Sequence, residues 1–380
     1  MQSSTIRING RSNIVKLAAL FGFGAYLAIL VEINFVASFL FACSLLSVVA
    51  NYLFFISARN RVRIEDIVLL LLTFLSVIMS DWQLNFDYYK PAIVVFCTVL
   101  CIDLCVEVEV GAKDCRSVTS ILMLVTLITN IQYYFGGLRY SYHGSTSAIA
   151  LNFSNPNETA MWLVFIIVFL CDSVPAQKKL RTKLLQLVGM LSLLPLLYRT
   201  EARNCFIAVA FFFVGKIVLW VSNVRKIPNW SAFLIALAPV LVYLGYMYIF
   251  IPNYDRMSEW LRFLQSEGKS LTSRFRIWSS LEMGNWKFVL FGNYGVYHSE
   301  QLHNAMVTLY CRFGIFYVII VCRKLYRVLK KMPNAGMQLA LGTILLTGCF
   351  ESSIFVGIAG MYVLVLLLPV FHQKGSKTAA

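Results

Sequence analysis

Residues 299–316, SEQLHNAMVTLYCRFGIF, open an apolar run on His303 and Asn304 and carry Arg312 nine residues after His303. An imidazole titrates near neutrality, so a histidine where an apolar span meets external water suits a general base acting on a hydroxyl. The plainer role for His303 is that of an interfacial or capping residue. A guanidinium inside a span costs roughly 2.5 to 3.5 kcal/mol on insertion scales, so Arg312 is expected to face protein or a water-filled cavity. Asn304, Thr308 and Arg312 recur every four residues and form one helical stripe, a polar line descending from the external surface. His303 falls about half a rotation away from Arg312 and roughly 13 Å along the axis, so the two are not joined in one catalytic group. Arg312 could equally be the ion-pair partner of Glu32 or Glu351.

Further arginines stand where an external surface is expected: Arg139, Arg199, Arg203, Arg274 and Arg276. In YRTEARNCFIAVAFFFV, Arg199 and Arg203 are four apart and share a face if a span begins there. Two guanidiniums at one membrane surface make a cradle for phosphate, because each keeps its charge and offers a fixed fork of donors. The bland alternative is snorkelling to lipid headgroups. In NFSNPNETAMW, Asn155, Asn157 and Glu158 stand at the mouth of another span, where Asn157 and Glu158 would supply caps and favourable charge. His143 and His298 are weaker candidates.

What must position these groups is set by composition. The chain has 380 residues, is 59% hydrophobic and 13% charged, and has a mean hydropathy of +0.72, outside the soluble range. Its net charge of +15 sits in short runs between apolar stretches, as topology signals do, which argues against nucleic acid as a partner. The cysteines lie in or beside apolar segments without Cys-x-x-Cys or zinc spacing, so buried free thiols are expected and no metal site.

Windows able, or nearly able, to cross a hydrocarbon core recur near 14–31, 33–56, 66–80, 91–106, 118–135, 158–172, 184–198, 204–221, 231–251, 304–321, 336–350 and 354–371. The expected fold is therefore an all-α polytopic membrane protein of about twelve spans, with the third, sixth and seventh the weakest, short enough to be tilted or partly re-entrant. The connections ARNRVRIED, AQKKLRTK, SNVRKIPN and RKLYRVLKKMP are basic, and the others are aromatic and mixed in charge. The positive-inside rule puts the basic set and both termini in the cytoplasm, with a retained first span. Three parts follow: spans one to nine over 1–251, an external (periplasmic) cap over 252–303, and spans ten to twelve with a tail over 304–380. In the cap, LTSRFRIWSSLEMGNWKFVLFG has helical spacing and is expected to lie on the membrane surface with Phe275, Trp278 and Phe288 at the interface. GNYGVY then breaks that helix and leads to His303. No internal repeat is visible.

The order ALNFSNPNETAMW, YRTEARNCFIAVA opening a span, SRFRIW in a long external loop, then LHNAMVTLYCRFGIF resembles the Wzy-type O-antigen and capsule polymerases and the related O-antigen ligases. The resemblance covers roughly residues 150 to 325. It implies a membrane glycosyltransferase of the GT-C type in a bacterial inner membrane, moving glycan from an undecaprenyl-diphosphate donor on the external leaflet without nucleotide sugar, metal or other cofactor. Arg203 and Arg274 would hold the diphosphate, and His303 would deprotonate the acceptor hydroxyl. Arg199, Arg276, Asn304, Arg312, Asn157 and Glu158 are the candidate substrate-binding residues. The family also implies partners that set chain length or deliver substrate: a chain-length regulator and a flippase.

Ligases and polymerases share these motifs and differ in acceptor, lipid A core for one and another lipid-linked repeat unit for the other. Only about twenty-five residues separate SRFRIW from His303, and no long inserted helical hairpin stands between them, which favours a polymerase. A flippase or other transporter would have a similar number of spans, with charges scattered through two related halves. A purely structural scaffold would leave Arg312 unexplained.

Overall fold

A computed structural model describes residues 17–18, 20–59, 63–81, 86–104, 112–135, 140–143, 146–153, 155–173, 179–250, 252–253, 277–281, 285–298, 300, 302–332 and 334–356. The elements in chain order are α1 (Leu20–Leu30), α2 (Asn34–Arg59), α3 (Ile64–Asp81), α4 (Phe86–Leu104), α5 (Ala112–Phe135), β1 (Tyr140–His143) and β2 (Thr146–Ile149). After them come α6 (Pro156–Ser173), α7 (Leu180–Arg199), α8 (Arg203–Ser222) and α9 (Asn229–Gly245), the last extended by a π turn over Tyr246–Phe250. Then follow α10 (Trp286–Phe291), α11 (Tyr294–Tyr297), α12 (Ala305–Phe313), α13 (Ile315–Lys331), α14 (Ala335–Thr347) and α15 (Ser353–Val356).

Six described helices are long and apolar enough to cross a membrane: Asn34–Leu53, Arg116–Phe135, Pro156–Ser173, Leu180–Arg199, Arg203–Ser222 and Asn229–Phe250. Their outer faces carry exposed large apolar side chains, among them Ile207, Phe211, Ile217 and Trp220 on α8, a surface that only an apolar surrounding tolerates. The sixth and seventh helices, expected to be short, are among the six because polar first-turn residues such as Asn157 and Glu158 belong to α6. At the centre, 78% of α6 is buried, enclosed by α5, α7, α8 and α14. Gly215 of α8 allows that wall to close, since a Cβ there would come within 2.7 Å of Leu339 on α14. Cys97, Cys205, Cys311, Cys322 and Cys349 are buried free thiols, as expected.

One end of the bundle gathers the basic connections. Glu65 at the start of α3 pairs with Arg323 (3.1 Å) and Arg327 (2.8 Å) near the end of α13. Asp66 beside it accepts from Lys324 and from the Tyr52 hydroxyl. Gln338 of α14 donates to the Leu329 carbonyl (2.9 Å) and accepts from the Ile227 amide (2.7 Å), while Lys216 of α8 pairs with Asp172 at the end of α6. Segments read as lying on one side are thus bonded together.

Lys324 is fully buried and Asp66 nearly so, and removing one member strands the other charge. Asp66→Asn is expected to lower stability by about 3 to 5 kcal/mol, whereas pairing Asp66→Leu with Lys324→Met recovers most of the loss. Unfolding midpoints in detergent check this, and equal loss in the single and double variants would overturn it.

Two expectations change. The tenth span, read over 304–321, is two helices: α12 ends at Phe313 and α13 begins at Ile315, with Gly314 between them at φ +83°. A backbone crossing forces the break, because the Gly314 Cα lies where a Cβ would be 2.0 Å from the Leu290 carbonyl oxygen. Gly292 (φ +69°) matches it on the facing segment, where a Cβ would be 2.5 Å from the Arg312 carbonyl carbon. The fold also carries an antiparallel hairpin, Tyr140–His143 with Thr146–Ile149, that the all-α reading omitted. Its signal was Gly144-Ser145 between two alternating runs, a two-residue turn pattern.

Candidate functional site

The head of α12 is the best anchored point among the candidates. Asn304 is its N-cap: Oδ1 accepts from the amides of Met306 (2.9 Å) and Val307 (3.0 Å), and the backbone carbonyl accepts from Thr308 Oγ1 (2.7 Å). Its Nδ2 donates to the carbonyls of Pro239 (2.9 Å) and Cys349 (3.0 Å), and the Ala305 amide donates to Gly348 (2.8 Å). One fully buried amide therefore caps a helix and pins its start to α9 and to the turn after α14. Pro239 lies eleven residues before Phe250, so this point sits about 16 Å short of the end of that helix. Asn304 is fully buried, while its neighbour His303 is half-buried.

His303, immediately before the cap, is half-buried with φ +51°. On its other side Leu302 is held by Trp278, whose Nε1 donates to the Leu302 carbonyl at 2.7 Å. Trp278 closes the SRFRIW segment and is 1% exposed, packed edge-on to Tyr243 and Tyr246 of the α9 region. It and Phe288 belong to a small protein core with Leu281, Val307 and Cys311, not to a lipid interface as the pattern predicted. Spacing reveals that such rings are buried but not what buries them. Phe275, Arg139, Arg274 and Arg276 lie outside the described residues.

Asn304 also gives a mutational test of the anchor. Asn304→Asp keeps both cap acceptors but turns an oxygen toward the Pro239 and Cys349 carbonyls. The expected loss is about 3 kcal/mol or more, no smaller than for Asn304→Ala, since two buried carbonyls lose their donors and a carboxylate is buried among them. An aspartate variant as stable as the parent in detergent unfolding would overturn the assignment.

At the start of α6, Asn155 is the capping residue, its Oδ1 accepting from the Asn157 amide (2.9 Å), and Pro156 takes the first helical position. Asn157 was expected to cap; instead its Nδ2 donates to Glu351 Oε1 (2.8 Å). Glu158 in the first turn complements the helix dipole, as expected. Glu351 is 4% exposed, follows the turn that holds Asn304, and interacts electrostatically with Cys205 in the first turn of α8. Considered earlier only as a partner for Arg312, it is the carboxylate that links α6 to this turn. Its signal was a lone acid between two apolar runs, LTGCFESSIF.

Arg199 and Arg203 do not share a helix face. Arg199 is the last residue of α7 and Arg203 the first of α8, separated by a turn in which Glu201 adopts φ +56°. Both are exposed. Ala202 caps α8 without a side-chain bond and the first turn has no acidic residue, so Arg203 adds positive charge to the positive end of a 20-residue helix dipole. That placement is unfavourable by about 0.3 to 1 kcal/mol in isolation and favours an anion at the same point.

Arg312 is 3% exposed. Its Nε donates to the Tyr297 carbonyl (2.9 Å), its guanidinium lies 5.9 Å from the Tyr294 ring centroid, and its own carbonyl accepts from Ser76. No carboxylate pairs with it among the described residues, so the expected bond to Glu32 or Glu351 gives way to a backbone bond on the cap side. The stripe from Asn304 to Arg312 exists, with its two ends serving different neighbours.

Helices of this length and apolarity, packed around one buried helix, are the build of a helical membrane protein. Comparison with family models, curated proteins and solved structures finds no match to the chain.

Proposed function

We propose that this chain is a membrane glycosyltransferase that polymerises undecaprenyl-diphosphate-linked repeat units into O-antigen or capsular polysaccharide on the external face of a bacterial inner membrane. The chain has about twelve spans in a GT-C-like arrangement, and the end bearing the basic connections is cytoplasmic by the positive-inside rule. What carries the reading is convergence: three of the four quoted motifs, far apart in sequence, are bonded around one turn through Asn157–Glu351, Trp278–Leu302 and Asn304–Cys349. In this reading Arg203 neutralises the departing diphosphate and Arg274 assists it. His303, fixed between two anchored residues, accepts the proton of the acceptor hydroxyl as that oxygen bonds to the anomeric carbon and the diphosphate leaves.

The test is a clean deletion, with surface glycan resolved on a gel and lipid-linked intermediates extracted alongside. A ladder collapsed to a single repeat unit on its normal anchor supports a polymerase. Long chains accumulating on the lipid carrier would make the protein a ligase, and an unchanged profile would overturn the reading.

A further inference from the structure

At the other end of α12 from His303 lies a second group of chemistry-bearing side chains. Tyr88 of α4, Tyr294 of α11 and His298 just beyond it form a box: the Tyr88 and His298 ring centroids are 4.6 Å apart, Tyr88 and Tyr294 6.4 Å, and Tyr294 and His298 6.3 Å. Arg312 lies over the Tyr294 ring. Two polar atoms here are buried without a partner among the described residues, Nη1 of Arg312 and the hydroxyl of Tyr294, on side chains 3% and 0% exposed. Tyr88 and His298 are only half-buried, so part of each ring reaches solvent. His298 Nδ1 donates to the Gly295 carbonyl (2.8 Å), which leaves Nε2 as the ring's acceptor.

An unpaired guanidinium donor and a phenol hydroxyl, both withdrawn from water, call for an oxyanion, since a buried donor without a partner is costly and a carboxylate accepts from both. The half-exposed rings offer flat faces on which the C–H side of a pyranose packs. We propose that Tyr88, Tyr294, His298 and Arg312 form a subsite for an acidic sugar, taking the carboxylate of a uronic acid residue in the glycan. This deepens the polymerase reading and rests on it for the identity of the glycan; the binding itself does not depend on turnover. Arg312 is eight residues, about 12 Å, along α12 from Asn304, so the acidic sugar would sit away from the reacting hydroxyl.

The experiment is saturation-transfer NMR on the full chain in detergent, with glucuronate, glucose and inorganic phosphate as separate probes. Glucuronate is expected to give ring-proton transfer that falls about tenfold in Arg312→Gln and severalfold in Tyr294→Phe, which removes one oxygen and keeps the packing. Glucose is expected to give at most a tenth of that signal, because it has no group for the guanidinium. Absence of transfer, or transfer equal in parent and Tyr294→Phe, would mean that water alone fills the box and would overturn the proposal. Phosphate that protects the parent against unfolding through Arg312, with glucuronate silent, would overturn the sugar assignment. Glucuronate binding retained alongside an unchanged glycan profile in the deletion would overturn the polymerase reading and leave the subsite standing.

Discussion

For the polymerase proposed above, Arg203→Ala is expected to abolish polymer while the protein accumulates in the membrane at parental levels. Arg203 is exposed at the first position of α8, so its truncation removes little packing, and it takes charge away from the positive end of a helix dipole. Stability should change by no more than about 0.5 kcal/mol, as is usual for an exposed side chain. The loss falls on the reaction: a positioned donor aimed at developing negative charge is worth about a hundred- to a thousandfold in rate. Arg203→Lys should restore only part of it, because a point charge lacks the guanidinium fork. His303→Ala should cost about a hundred- to ten-thousandfold through loss of the base, again with normal insertion. The readout is the glycan ladder of a complemented deletion strain beside an immunoblot of its membranes, and a normal ladder from either alanine variant would remove that residue from the site.

The second large effect is structural. Gly314→Ala is expected to prevent accumulation of folded protein, because the added methyl would stand 2.0 Å from the Leu290 carbonyl oxygen and the backbone there has φ +83°. Neither obstacle can be relieved by rotating a side chain, since the opposing atoms are backbone. The crossing also carries the bond from the Asn293 amide to the Cys311 carbonyl at 2.7 Å, so displacing it loosens the cap from the end of α12. Gly292→Ala should act alike, meeting the Arg312 carbonyl carbon at 2.5 Å, and combining the two should be no worse than either alone. Gel filtration of detergent extracts measures the folded fraction, and a monodisperse Gly314→Ala peak at parental yield would refute the crossing.

The helices of the middle of the chain were legible because a polar turn interrupts two apolar runs. Windows at 184–198 and 204–221 anticipated Leu180–Arg199 and Arg203–Ser222, yet the same turn separates the two arginines that a single-helix reading had placed on one face. The His303–Asn304 position was legible as polar residues heading an apolar run. That Asn304 reaches Pro239 was not, since helical periodicity says nothing about which neighbouring helix supplies a carbonyl. The same limit hid the Asn157–Glu351 bond, which spans 194 residues. The break at Gly314 was hidden for a related reason: a lone glycine in an apolar run is tolerated in a helix, and only the strand of backbone lying across it demands the left-handed conformation.

The pair that locks the basic end has a consequence for synthesis. Asp66 and Lys324 are 258 positions apart, so at about 5 to 20 residues per second the carboxylate is made roughly 13 to 50 s before its ammonium partner exists. Throughout that interval α3 carries an acid with no lysine to meet it. Until then the Tyr52 hydroxyl of α2 is the Asp66 partner already made, and the junction of α3 with α13 is completed only in the last sixth of synthesis.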